Sequence, residues 1–259
     1  MFIFKETNKY PHIKCAFFSR KKGISNGVYK SLNCGLNSKD KKSNVLKNRI
    51  IALEKIGLNK KNLIIPNQIH SNKIKIVDEN SINQNITADG LLTKSNKIVL
   101  GILTADCAPI FFFDCKENII SAVHAGWRGA KNGIIKNTIK LMLECGSKLD
   151  NITSCIGPCI GKESYKVNND FFRKFIIENS QNKKFFLIKI FKNGTKWGNL
   201  NTQFFHLQIY KGTKFKKVDN VWRNPNVEGH SRRRCHQTLE FNQNDDQEEN
   251  PNGTGKKLE

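Results

Sequence analysis

IVLGILTADCAPIFFFDCKENIISAVHAGWRGAKNGIIKNTIKLMLECG, residues 98–146, decides the fold. It holds three short runs rich in Ile, Val and Phe, at 98–103, 109–114 and 119–124. Each is too short for a helix and reads as a buried strand. The pattern then changes. Over 130–145, Ile134, Ile135, Ile139, Leu141, Met142 and Leu143 recur close to helical spacing, and Gly146 closes the run. Strands that feed directly into an amphipathic helix point to a mixed α/β architecture.

Working outward gives the same mixture. Upstream, IKCAFFS at 13–19 reads as a buried strand. The loop RKKGISNGVYKSLNCG follows, punctuated by Gly23, Gly27 and Gly35. Val45, Leu46, Ile50, Leu53 and Ile56 place a helix over 41–57, and short β-rich runs lie at 62–66 and 73–78. Downstream, strands are expected at 151–156, 184–191 and 215–222, and helices at 169–178 and 199–210. No repeat period is present. The expectation is an α/β (α+β) fold, one domain over residues 1–222 with more than one sheet. Residues 223–259 are polar, acidic towards their end and without periodicity, which predicts an irregular tail.

Composition excludes several classes. The 259 residues are 38% hydrophobic with 17 Phe, enough for a sizeable core. No apolar stretch approaches the ~18 residues of a membrane span. The first residues, MFIFKETNKYPHIK, lack the continuous apolar core of a secretory signal. The expected location is the cytoplasm, where the eight cysteines stay reduced. The formal charge of +22 suggests nucleic acid. However, the charge is carried by Lys dispersed along the chain, and Lys, Asn and Ile all have A/T-rich codons. A solvated basic surface is the default reading, with an RNA-associated protein as the non-enzymatic alternative.

Three potentially reactive residues sit beside apolar runs, where a strand gives way to a loop or turn: His70 in PNQIHSN, Cys107 in GILTADCAPIFFF and His124 in ISAVHAGWRG. Strand ends are where α/β proteins build sites, because the strand fixes the residue and the loop gives access. Two imidazoles and a thiolate suffice for a tetrahedral Zn²⁺ with an open fourth position. Cys107 and His124 alone would serve as a nucleophile–base dyad. Two satisfied histidines and a core cysteine are the structural alternative. In HAGWRGA, Gly126 and Gly129 flank Trp127 and Arg128 just ahead of a helix. That turn suits an anion, to which Arg128 would add a bidentate contact.

NQIHS, ADGLLT, TADCAPI, HAGWRG and IGPCIG, in that order, resemble the bacterial multicopper polyphenol oxidase, or laccase-domain, family, whose members are described as purine nucleoside phosphorylases. SRKKGISNGVYKSLN resembles the family's Arg-x-Gly-Gly-x-Ser signature with Lys22 in place of the first Gly, and Asn48-Arg49 matches as well. The resemblance covers roughly residues 13–218. HSRRRCHQ only partly matches the family's Ser-Tyr-Arg-Arg-like end, and no apolar strand follows it.

The resemblance implies two mixed β-sheets packed between helices and a metal held by His70, Cys107 and His124. The metal would be Zn²⁺, with copper as the alternative. It also implies phosphorolysis of adenosine, inosine and methylthioadenosine, adenosine deamination, and copper-dependent phenol oxidation. The substrates are then a purine nucleoside and phosphate, and a monomer is expected. Arg128 and Arg49 suit phosphate, and Asp89 or Asp106 would serve as a carboxylate for deamination. In a regular strand Asp106 would face away from Cys107, so it reaches the site only if the chain turns there. The six histidines do not furnish a true laccase cluster, since His12 lies at the N-terminus and His230 and His236 in the irregular tail. A metal-free cysteine hydrolase or amidase using Cys107 and His124 is the competing enzyme.

Overall fold

In the computed structural model, residues 1–3, 10, 13–58, 62–161, 164–190 and 196–200 are described. The centre is an antiparallel hairpin of β7 (Ala108–Asp114) and β8 (Ile119–Ala125), paired over its whole length from Ala108↔Ala125 to Asp114↔Ile119. Alternation divides its side chains between two faces. Ala108, Ile110, Phe112, Ile119, Val123 and Ala125 join one core cluster, whereas Phe113, with Phe111 and Ile120, packs against Phe17 in another. Both faces are covered, which is why the strands read as continuous apolar runs rather than alternating ones.

β4 (Ile74–Ile76), β5 (Gly90–Thr93) and β9 (Thr153–Ile156) complete a five-stranded sheet of order β4-β5-β8-β7-β9. It is mixed, because β4 and β5 are parallel and the other pairs antiparallel. A three-stranded sheet, β10-β12-β11, joins Lys166–Val167, Lys196–Leu200 and Phe186–Ile190. Two short ladders pair β1 (Phe2–Ile3) with β2 (Ala16–Phe17) and β3 (Leu63–Ile64) with β6 (Val99–Leu100). Two principal sheets with four α-helices among the described residues give the mixed α/β class expected.

The helix expected over 130–145 is two helices, α2 (Trp127–Lys131) and α3 (Ile134–Glu144). Gly133, at φ 84°, separates them in the left-handed region that favours glycine. α3 lays Ile134, Ile135, Ile139 and Met142 on the hairpin. It ends in a Schellman motif, with Ser147 N–H donating to the Met142 carbonyl and Gly146, at φ 107°, donating to Leu143. The expected helix over 41–57 is α1 (Lys42–Glu54), and that over 169–178 is α4 (Asn169–Glu178), capped by the Asn168 side chain on the Phe171 N–H. Phe171 and Phe175 of α4 pack with Tyr165, Val167, Phe186 and Ala130, so this cluster ties the smaller sheet to α2.

Three expectations need correction. β5 was not foreseen as a strand, being only four residues long although wholly buried. Residues 199–200 belong to β12, where a helix over 199–210 was expected. The runs 13–19, 62–66 and 98–103 yield strands only at Ala16–Phe17, Leu63–Ile64 and Val99–Leu100, and Val99 and Leu100 are half-buried where a buried strand was expected. The rest of the 199–210 helix, the 215–222 strand and the 223–259 tail lie outside the described residues. Among the described residues no helix is long and apolar enough to cross a membrane.

Candidate metal centre

Three separate segments deliver the three residues. His124 is the penultimate residue of β8, two residues before the Gly126 cap of α2. Cys107 ends a bend over 105–107 from which β7 starts. His70 lies in the connection between β3 and β4, with φ 56°. That conformation strains a residue with a Cβ, and it persists only where surrounding contacts hold it. One potential ligand atom from each of the three lies within 4.8 Å of the others. The imidazoles of His70 and His124 meet edge to face, their centroids 4.7 Å apart. Cys107 and His124 are buried and His70 is half-buried.

Asp89 organises the cluster. Its carboxylate is fully buried. It accepts from the backbone N–H groups of Ile69 at 3.3 Å, His70 at 2.9 Å and Ser71 at 2.6 Å, and from the Ser71 hydroxyl at 2.6 Å. It also lies 2.9 Å from His124 Nδ1. Burial by itself raises a carboxyl pKa, but the His124 and Ser71 hydrogen bonds outweigh it and hold Asp89 below its ordinary value. An ionised Asp89 makes His124 Nδ1 the protonated nitrogen and leaves Nε2 as the lone pair, the arrangement that orients a metal-binding imidazole.

The donor set fits a divalent metal of zinc type. Zn–N distances near 2.0–2.1 Å and Zn–S near 2.3 Å put tetrahedral ligand atoms roughly 3.5 Å apart. The trio therefore needs to close by at most about 1.3 Å from its 4.8 Å limit. Among the described residues this is the one group of three His, Cys, Asp or Glu side chains so arranged.

The other candidates are distributed unevenly. Asp89 is at the centre, through His124. The chain does bend at Asp106, whose carbonyl accepts from Ile160 N–H of the IGPCIG loop at 2.9 Å. Tyr165, at 4% exposure, has both Asp106 and Arg128 as electrostatic neighbours. Burial drives its phenol far above the ordinary range, Asp106 adds to this and Arg128 opposes it. Arg128 lies in α2, its guanidinium 5.0 Å from the Trp127 ring centroid. α2 has only five residues, so its dipole adds little to any anion site. Arg49 lies on α1, with Nε donating to the Cys34 carbonyl at 2.8 Å. It lines a cavity of about 900 Å³ together with Phe18, Leu53, Ile56 and Phe111, and none of the three metal-type residues lines that cavity.

Several residues around the site carry no sequence signal. Ser71 reaches Asp89 across 18 positions, and Gln68 reaches Leu103 across 35. Local periodicity does not register such contacts. Gly129 is close-packed as well, since a Cβ there would lie 2.7 Å from the Ser71 carbonyl oxygen.

Comparison with known proteins agrees with this architecture. Residues 14–214 match the family described as multi-copper polyphenol oxidoreductase laccase. Among curated proteins, the chain is 33% identical over 184 residues to a purine nucleoside phosphorylase of Rickettsia prowazekii, covering 70% of this chain and 75% of that one. It is 32% identical over 182 residues to a purine nucleoside phosphorylase of Haemophilus influenzae, covering 70% and 72%. Among solved structures, the hypothetical protein YfiH of Bacillus licheniformis superimposes with a TM-score of 0.73 at 25% identity, over 82% of this chain and 81% of that one. The Neisseria meningitidis protein NMB0706 gives 0.66 at 28% identity, over 76% of each chain. With a match that spans most of its length and relatives at this identity, the chain belongs to the multi-copper polyphenol oxidoreductase laccase family.

Proposed function

We propose that this chain is a metal-dependent purine nucleoside phosphorylase acting on adenosine, inosine or methylthioadenosine in the cytoplasm as a monomer, with His70, Cys107 and His124 as the metal ligands. The observation that carries the reading is the convergence of two imidazoles and a thiol around a buried Asp89, in a chain whose relatives carry that name. In the reaction a phosphate oxygen bonds to C1′ of the sugar as the glycosidic C–N bond breaks. The bonding pair leaves with the purine, which takes up a proton, and the second product is ribose 1-phosphate, or 5-methylthioribose 1-phosphate from methylthioadenosine.

Bound Zn²⁺ would supply Lewis acidity to a substrate oxygen. The protein's own contribution is preorganisation. Asp89 keeps the His124 tautomer fixed and holds His70 in its strained turn through the backbone N–H groups. Arg128, set against Trp127, supplies positive charge four residues after His124 and is assigned to phosphate, whereas Arg49 faces a separate cavity and has no part in this reading. Asp89 already faces five donors, so it acts as an orienting group rather than a proton shuttle. Adenosine deamination and copper-dependent phenol oxidation are side reactions in this reading. A single Cys-His₂ site takes up copper readily, because copper outcompetes zinc for such ligands. The test is incubation with adenosine or inosine, with and without phosphate. Phosphate-dependent release of free base and ribose 1-phosphate is expected, and its absence with every purine nucleoside overturns the assignment.

One observation favours a second reading. Cys107, His124 and Asp89 stand in the order thiol, base and orienting carboxylate, the relation a metal-free cysteine hydrolase or amidase uses. That enzyme has no need of His70, so the His70→Ala variant separates the two.

A further inference from the structure

His70 is held in place by side chains. The backbone N–H groups of residues 69, 70 and 71 all go to the Asp89 carboxylate. Two amide side chains flank His70 symmetrically, and each reaches a different part of the molecule. Gln68, two residues before it, clasps the backbone of Leu103: Nε2 donates to the Leu103 carbonyl at 2.6 Å, and Oε1 accepts from the Leu103 N–H at 2.8 Å. The side chain thus satisfies both backbone groups of Leu103, as a neighbouring strand would. Leu103 lies four residues before Cys107. Asn72, two residues after His70, engages the α2–α3 corner. Its Nδ2 donates to the Asn132 carbonyl at 2.8 Å, and its own carbonyl accepts from Asn137 Nδ2 at 3.0 Å. That corner is the continuation of β8 beyond His124.

We propose that Gln68 and Asn72 are positioning residues that set the span of the metal centre. Gln68 ties His70 to the segment that presents Cys107, and Asn72 ties it to the helix corner that follows His124. The inference rests on the metal reading of the three ligands and not on the nucleoside chemistry. The physical reason is strain. A left-handed His70 relaxes towards a negative φ when its flanks are released, and its imidazole then leaves the other two donors. Contacts that hold a ligand in this way typically govern metal affinity by about 10–100-fold.

The experiment compares the full chain with Gln68→Ala, Asn72→Ala and Asn137→Asp. The last keeps the size of the side chain and replaces the donor that faces the Asn72 carbonyl with a carboxylate. Zn²⁺ affinity is read by competition with a chromogenic chelator, and the urea midpoint is read on metal-free protein. Each variant is expected to bind Zn²⁺ about 10–100-fold more weakly. The metal-free midpoints of Asn72→Ala and Asn137→Asp stay near that of the parent, whereas Gln68→Ala, which leaves both buried backbone groups of Leu103 unpaired, lowers it. The Gln68→Ala/Asn72→Ala pair is expected to multiply the losses, because the two contacts hold different segments. Gln84→Ala, which removes a surface amide bonded to the Asn80 carbonyl, is the control and leaves affinity unchanged. If Gln68→Ala does not fold, Asn137→Asp decides, since Asn137 is exposed. Folded variants that bind Zn²⁺ as tightly as the parent overturn the proposal, as does a parent chain that binds none. Weakened Zn²⁺ binding in a protein without phosphorolysis would instead uphold the clamps and reject the phosphorylase reading.

Discussion

Gly129→Ala reverses a usual rule, and the structure gives both sign and size. In an ordinary helix this change is stabilising by about 1 kcal/mol, because alanine loses less backbone entropy. In α2 the added methyl would lie 2.7 Å from the Ser71 carbonyl oxygen, against an ordinary contact of 3.4–4 Å. The gap must open by roughly 0.7 Å, and neither side yields easily. Ser71 is held at 2.6 Å to Asp89 through both its N–H and its hydroxyl. On the other side, Ala130 beside Gly129 is packed into the cluster of Tyr165, Phe171, Phe175 and Phe186. Overpacking of this kind costs about 1–3 kcal/mol, and contact with backbone places it in the upper part of that range. The net expectation for metal-free protein in urea is a loss of about 1–2 kcal/mol. Because Ser71 adjoins His70, Zn²⁺ affinity should fall about tenfold as well. A variant more stable than its parent, with unchanged affinity, would refute the packing argument at this contact.

Asp89→Asn should destabilise metal-free protein by about 3 kcal/mol in urea, since it removes several charge-assisted hydrogen bonds and turns an amide N–H₂ towards existing donors. It should also abolish tight Zn²⁺ binding by releasing the His124 tautomer, which a chelator competition would detect. The pH dependence follows from the same carboxylate. Its folded pKa lies below the unfolded value near 4, so its stabilisation is complete above that value and is lost as pH falls through the lower, folded one. Urea midpoints of metal-free protein should therefore decline on acidification below about pH 4, and Asp89→Asn should flatten part of that decline. Gly157→Ala would drive a methyl into the ring of the fully buried Phe17, so a loss of about 1–3 kcal/mol is expected from thermal or urea unfolding.

The elements that were legible in the sequence carry strong local signals. α3 announced itself through a buried stripe of Ile134, Ile135, Ile139 and Met142, and β7 and β8 through unbroken apolar runs. The break at Gly133 was not legible as such, because a glycine inside a helical pattern is tolerated as often as it ends one. β5 carries no such signal, because four residues give periodicity too little length. His70, Cys107 and His124 were picked out from their places at strand ends and from the motifs around them. The supporting contacts were not. Gln68 with Leu103 and Asn72 with Asn137 join residues 35 and 65 positions apart, and only the folded chain defines those pairs.

The most direct test of the account is the zinc content and turnover of folded His70→Ala. In a three-ligand site the variant loses one of its protein ligands. The parent is expected to hold about one zinc per chain and to release purine base in a phosphate-dependent manner. His70→Ala, with a circular dichroism spectrum and cooperative melt like those of the parent, is expected to lose both the zinc and the turnover. A folded His70→Ala that turns over at full rate without metal would contradict the metal mechanism and leave the Cys107–His124 hydrolase in its place.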